Sequence, residues 1–175
     1  KKKKNVNAGY LTPSHIIPLA APGVMQQGIK WMFSSKSPLY IKPRLNADFL
    51  KWTMAFNNSC SEKNVSKAIP AIRDINLLSR DLYSDIRAEE NFNFQLKKDG
   101  LLMMCKTEHM LEEEAHVLAL ANKEGLPARM LSAEEVQQKM PNADLDIKGA
   151  AFYECDHHTT PGEFMEELKT LLQAN

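Results

Sequence analysis

Residues 92–105 read Phe92-Asn93-Phe94-Gln95-Leu96-Lys97-Lys98-Asp99-Gly100-Leu101-Leu102-Met103-Met104-Cys105. Phe92, Phe94 and Leu96 alternate with Asn93, Gln95 and Lys97, the period of two that sends successive side chains to opposite faces of a strand. Lys98-Asp99-Gly100 follows as a turn, with glycine where a positive φ is wanted, and an apolar run resumes at Leu101. The stretch predicts a β-hairpin. It also divides the chain, because after residue 90 the period changes from helical to two.

Upstream, Ala68, Ile72, Ile75, Leu78, Leu82 and Ile86 step by three or four, which predicts the longest helix, ending near Arg87. Pro70 must sit in its first turns or kink it. Asn46 is placed to cap a helix running to about Cys60. Residues 24–34 form a short apolar segment with helical character, weakened at Gly28, and Ser34 to Pro43 reads as a loop. Downstream, Thr107 caps a helix whose Leu111, Ala115, Leu118 and Ala121 share a face, and Gly125 ends it. Ala128 to Leu131 reads as a short strand leading into the capping box Ser132-Ala133-Glu134-Glu135, whose helix Pro141 stops. Gly149 to Cys155 is a further strand. A second capping box, Thr160-Pro161-Gly162-Glu163, opens a closing helix striped by Phe164, Leu168, Leu171 and Leu172. Helices first, then strands mixed with helices, predict an α+β fold with a sheet of two to four strands.

The 175 residues suffice for one substantial core. Lys+Arg and Asp+Glu both number 22, and the only dense basic run is Lys1 to Lys4, so the basic face that nucleic acid requires is not encoded. No apolar run approaches the ~20 residues of a membrane span. Three widely spaced cysteines (Cys60, Cys105 and Cys155) fit apolar fillers in a reducing cytoplasm better than a disulfide framework. The seven glycines never fall as G-x-G-x-x-G, and no P-loop is present, so the chain alone has neither common device for holding a pyrophosphate.

Two constellations could carry chemistry. Glu113 and His116 have the Glu-x-x-His spacing of di-iron bundles, but only one copy exists, and the run Glu112-Glu113-Glu114 fits a solvated helix face, so no metal is expected. Asp156-His157-His158 lies where a strand leaves its sheet, a favoured place for clefts. Adjacent histidines cannot face the same way on an extended chain, so at most one of His157 and His158 faces a site. Equally, Asp156 and one histidine can simply cap local backbone. Arg44 stands in a Pro-rich loop, off any predicted helix or strand, and is the arginine available for a carboxylate clamp, although a surface charge is its simpler reading.

The segment Asn5-Val6-Asn7-Ala8-Gly9-Tyr10 and the Pro-punctuated loop to Ala21-Pro22-Gly23 are almost free of charge and read as lying against something outside themselves. Together with Ile29-Lys30-Trp31-Met32-Phe33, Ser37-Pro38-Leu39 and Ile41-Lys42-Pro43, this region resembles FAD-dependent D-amino-acid dehydrogenases of the D-amino-acid oxidase and glycine oxidase group. Gly100-Leu101-Leu102, Leu131 to Val136, Pro141, Gly149 to Tyr153, Asp156 to Pro161 and Phe164 to Leu168 continue the likeness over nearly the whole chain.

The resemblance implies a substrate domain, an antiparallel sheet with flanking helices, packed beside an FAD-binding domain. It also implies oxidation of an amino acid by hydride transfer to the flavin, giving an imine and then an oxo acid and ammonia. By this likeness Asn7, Ala8, Gly9 and Tyr10 run along the flavin; Arg44, Tyr153, His157 and His158 are the substrate-side candidates of this chain. Residues 1–4 would be a tail, 5–45 a flavin-facing loop region with a short helix, and 46–175 the helical segment and α+β substrate domain, forming a single unit with 5–45. The absent glycine-rich loop implies an internal fragment, inactive alone, whose partners are an amino-acid substrate and the FAD-binding portion of the same protein. A cytoplasmic location, with peripheral membrane or quinone contact of the whole protein, is the accompanying expectation. The alternative is a stand-alone α+β ligand-binding or interaction module without redox activity.

Overall fold

The computed structural model describes residues 8–24, 44 and 46–174. The chain divides into two units, one of residues 1–15 and 73–175, the other of residues 16–72. Most of the apolar segment and loop expected over 24–43 lies outside the described residues.

In the unit of residues 16–72, α1 (Ala47–Ser59) begins where the sequence places it. Asn46 is extended, and its side chain accepts the Phe49 N–H at 2.8 Å, filling one of the open donors of the first turn. Phe49, Trp52 and Phe56 stack along α1 with ring centroids 6.0 and 5.3 Å apart. The second helix, α2 (Glu62–Glu89), starts before the apolar stripe, so Pro70 falls well inside it and leaves the Ser66 carbonyl without its usual donor. It ends at Asn91, whose φ of +54° suits a residue that tolerates the left-handed region.

The unit of residues 1–15 and 73–175 holds two three-stranded antiparallel sheets. In the larger, β5 (Gly149–Tyr153) lies between β3 (Leu101–Cys105) and β4 (Ala128–Ser132), with Leu101 and Ala128 both opposite Tyr153, and Cys105 and Ser132 both opposite Gly149. In the smaller, β6 (His157–Thr159) lies between β1 (Tyr10–Leu11) and β2 (Leu96–Lys97). The hairpin expected over residues 92–105 therefore does not form: β2 pairs with β6, β3 pairs with β5, and the bend at Gly100, with φ +80°, hands the chain from one sheet to the other. Alternation identified both strands but carries no information about the partner. Likewise, His157–Thr159 is itself a strand rather than the exit from one.

The central strand of the larger sheet is covered on both faces, where the small run Gly149-Ala150-Ala151 lets the helices approach. Ala150 packs with Leu131 and with Val136 of α4 (Ala133–Lys139). On the opposite face α3 (Glu108–Lys123) buries Leu118 and Ala121, and Leu111 approaches so closely that a Cβ on Gly149 would lie 3.2 Å from it. The Thr107 cap forms as expected, and α3 ends in a Schellman turn: Gly125 N–H reaches Asn122 O at 3.0 Å and Leu126 N–H reaches Ala121 O at 2.9 Å. The Ser132–Glu135 capping box is reciprocal, and α4 stops just before Pro141.

The second capping box is not made. Before α5 (Pro161–Ala174), Thr160 N–H donates to Gln95 O at 3.2 Å, and Glu163 accepts from Gln95 N–H at 2.9 Å. Glu167 takes Asn93 N–H at 2.8 Å and Phe94 N–H at 3.2 Å. The acids of α5 thus satisfy the backbone entering β2, and a local motif lost to a long-range one. Phe94, 1% exposed, closes this corner with Phe164, 5.2 Å between centroids, and Tyr83. Much of the α2 stripe remains open. Ile75 and Leu82 are exposed and line, with Tyr83 and Phe164, an apolar groove of about 300 Å3.

Candidate functional site at the Gly9 and His157 strands

The pairing of β1 with β6 joins two stretches that the sequence singled out separately. Tyr10 lies opposite His158 and Leu11 opposite His157. Just upstream, Thr159 N–H donates to Gly9 O at 2.8 Å. Gly9 has φ +79°, and a Cβ built on it would lie 2.0 Å from the Thr159 carbonyl oxygen. Only glycine meets both demands. On either side of it Ala8 and Tyr10 are exposed, Tyr10 by 59%. Asn7 lies outside the described residues.

Beneath the strands Asp156 is fully buried. Its Oδ1 accepts the Ser14 N–H at 3.0 Å, and its Oδ2 accepts the Ser14 hydroxyl at 2.5 Å. The Cys155 thiol also points at Oδ1, at 3.4 Å. Burial first, and then the Asp156 charge, push the Cys155 thiol up to about 12, so it stays protonated. From α2, Arg80 donates to Cys155 O at 3.3 Å while its other nitrogen pairs with Asp81 at 2.7 Å.

The two histidines separate as strand geometry requires. His158 is exposed, whereas His157 is half-buried, and its Nδ1 is buried with no partner among the described residues. Burial, then the positive charges of Arg80 and Lys98, lower the His157 pKa and favour the neutral ring. Tyr153 is 2% exposed, and its hydroxyl donates to Glu114 of α3 at 2.7 Å. Burial, and then this bond, hold the phenol well above its ordinary pKa. Arg44 is exposed and belongs to the unit of residues 16–72.

Of the Glu112–Glu114 run, Glu114 is the member that turns inward. Glu113 stays exposed and pairs with His109 at 3.6 Å. Among the described residues no cluster of His, Cys, Asp or Glu could hold a metal, and no helix is long and apolar enough to cross a membrane. Sequence reasoning missed Ser14 and Arg80. Nothing in a serine after Pro13 signals a partner 142 residues away.

With this geometry in view, comparison with known proteins is decisive: residues 6–175 match the family model described as FAD dependent oxidoreductase. The chain belongs to that family. It is 29% identical over 167 residues to a D-amino acid dehydrogenase of Helicobacter pylori, a match covering 95% of this chain and 40% of that protein. It is 28% identical over 128 residues to a D-amino acid dehydrogenase of Cereibacter sphaeroides, covering 73% of this chain and 29% of that protein. The chain thus spans two fifths or less of these relatives. A solved glycine oxidase from Geobacillus kaustophilus shares the fold, with a TM-score of 0.50 and 19% identity over 55% of this chain and 27% of that one.

The family's cofactor can be tested against the residues themselves. The sequence has no glycine-rich phosphate cradle, and the side-chain edge of Gly9 is taken by Thr159, so the phosphate end of FAD finds no seat among the described residues. One wall does fit. Ala8 and Tyr10, exposed on either side of the buried Gly9, present an apolar, aromatic surface, and the orphaned His157 Nδ1 on the paired strand calls for a hydrogen-bonding group from outside the described residues.

Proposed function

We propose that the protein carrying this chain is an FAD-dependent D-amino-acid dehydrogenase, and that this chain supplies its substrate domain with one wall of the flavin site. The observation that carries the reading is the 29% identity to a D-amino acid dehydrogenase along 95% of the chain. The reaction removes hydride from the amino-acid Cα and a proton from its amine; water then converts the imine into an oxo acid and ammonia. When bound, FAD supplies the two-electron acceptor. Residues 5–45 contribute the flavin-facing loop, with Asn7, Ala8, Gly9 and Tyr10 along the cofactor. Residues 46–175 contribute the substrate-domain body.

His157 and His158 lie on opposite faces of β6, so one of them serves the substrate side. The neutral His157 suits hydrogen bonding, and His158 faces solvent. Arg44, the exposed guanidinium, is assigned to the substrate carboxylate, where a bidentate pair is the strong geometry. Tyr153 acts through Glu114, holding α3 against β5. The FAD-binding portion of the same protein is the partner, and the electron acceptor is a quinone reached by peripheral membrane contact or a soluble carrier in the cytoplasm.

The test is to purify the intact gene product and record its visible spectrum and its reduction of an electron-accepting dye with D- and L-amino acids. A yellow protein that reduces dye only with D-amino acids is expected. A colourless protein, or dye reduction without stereochemical preference, would overturn the proposal.

A further inference from the structure

We propose that Asp156 is a positioning residue: acting through Ser14, it clamps residues 8–15 onto β6 and thereby sets the Ala8–Tyr10 strip that faces the cofactor. The inference rests on the cofactor-facing reading of that strip under the proposed function.

A carboxylate with no exposure is expensive to bury, and among the described residues no lysine or arginine pairs with it. Its two oxygens are instead both occupied by Ser14, one by the backbone N–H and one by the hydroxyl. This is a two-point grip on a segment otherwise far away in the chain. Because the single Ser14 hydroxyl proton goes to Asp156, the contact of 3.1 Å between Ser14 Oγ and His15 Nδ1 requires the imidazole to donate, which makes a relay from His15 through Ser14 to Asp156. The carboxylate is itself held in place. Residues 155–156 are tied to α2 through Arg80, and Asp156 N–H bonds back to Tyr153 O at 3.5 Å. The strip it anchors is short: β1 has two residues, Tyr10 and Leu11. A two-residue strand has little hold of its own. The grip at Ser14, four residues beyond Tyr10, therefore decides whether the strip is fixed or frays.

The experiment compares Asp156→Asn, the milder Ser14→Ala, which keeps the backbone N–H bond, and Val136→Ala, a cavity in the separate α4 cluster, all in the intact flavin-loaded gene product. Amide hydrogen exchange over residues 8–16 is expected to quicken about tenfold in Asp156→Asn and less in Ser14→Ala, while the β3–β5–β4 sheet keeps its protection. The flavin absorption bands shift and kcat falls in the same order, with KM nearly constant. Val136→Ala loses thermal stability without these changes. Equal exchange over residues 8–16 in Asp156→Asn and wild type overturns the proposal, as does a Val136→Ala protein with the same spectral shift. If exchange responds as expected but the wild-type protein binds no flavin, the clamp stands and the dehydrogenase reading is what fails.

Discussion

Gly9→Ala should be the most damaging single-methyl change in the described chain. Alanine at φ +79° carries a left-handed backbone cost of about 1–2 kcal/mol. Its Cβ would also stand 2.0 Å from Thr159 O, an overlap relieved only by separating the strands. Separation loses the Thr159 N–H to Gly9 O bond of 2.8 Å, worth about 0.5–1.5 kcal/mol. Together these come to about 1.5–3.5 kcal/mol, a fall in Tm of about 3–14 °C for a chain of this size. Thermal unfolding followed by circular dichroism, with Gly162→Ala as the comparison, measures it. Gly162 is in the first turn of α5 with nothing within 4 Å of its Cβ position, so alanine there should be neutral or stabilising by up to about 1 kcal/mol. Equal midpoints for the two variants would refute the reasoning, because no carbonyl could then be seated against Gly9. In the holoprotein, Gly9→Val should lower flavin occupancy by displacing β1 rather than by touching the cofactor.

Other perturbations test the neighbouring groups. Tyr153→Phe strands the Glu114 carboxylate at a half-buried position and should cost about 1–3 kcal/mol; urea unfolding with an unchanged midpoint would show that the bond contributes nothing. Cys155 should resist thiol reagents at about pH 8 in the native state, while half-buried Cys60 reacts first. The raised thiol pKa also sets an alkaline limit. Below 9.0 both states keep the proton, and between 9.0 and about 12 only the unfolded chain releases it, so stability falls across that window. A Cys155→Ala protein should show a shallower slope in a pH series of Tm values, the remainder above pH 10.0 coming from the raised Tyr153 phenol. His157 acts on the acid side: its pKa is lowered from 6.5, so the unfolded chain binds the proton first and stability drops as pH falls below 6.5. His157→Gln should flatten that decline, whereas His158→Ala, on the exposed side of β6, should alter stability by less than about 0.5 kcal/mol.

What the amino-acid sequence determined by itself was whatever closes within a few residues. The Asn46 and Thr107 caps, the Ser132–Glu135 box and the Gly125 turn each join groups at most five positions apart, so residue type and spacing were enough to place them. Alternation likewise marked the strands, and the opposite facing of His157 and His158 followed from it. The family was legible too, because the resemblance rests on the order of motifs along the chain. Tertiary structure decided every choice among distant partners. Leu96–Lys97 and Leu101–Cys105 had the pattern of a hairpin, yet each found a better-placed strand elsewhere, and a two-fold pattern is indifferent to which edge it meets. Glu163 had a cap to make and instead satisfied Gln95, because an open N–H of the incoming strand lay within its reach. Gly9 was expected along the flavin, and its immediate constraint is the carbonyl of Thr159. The burial of Asp156 against Ser14 had no sequence signal at all: a long-range hydrogen bond exists only after the packing that brings its donor and acceptor together, and that packing is a property of the whole fold.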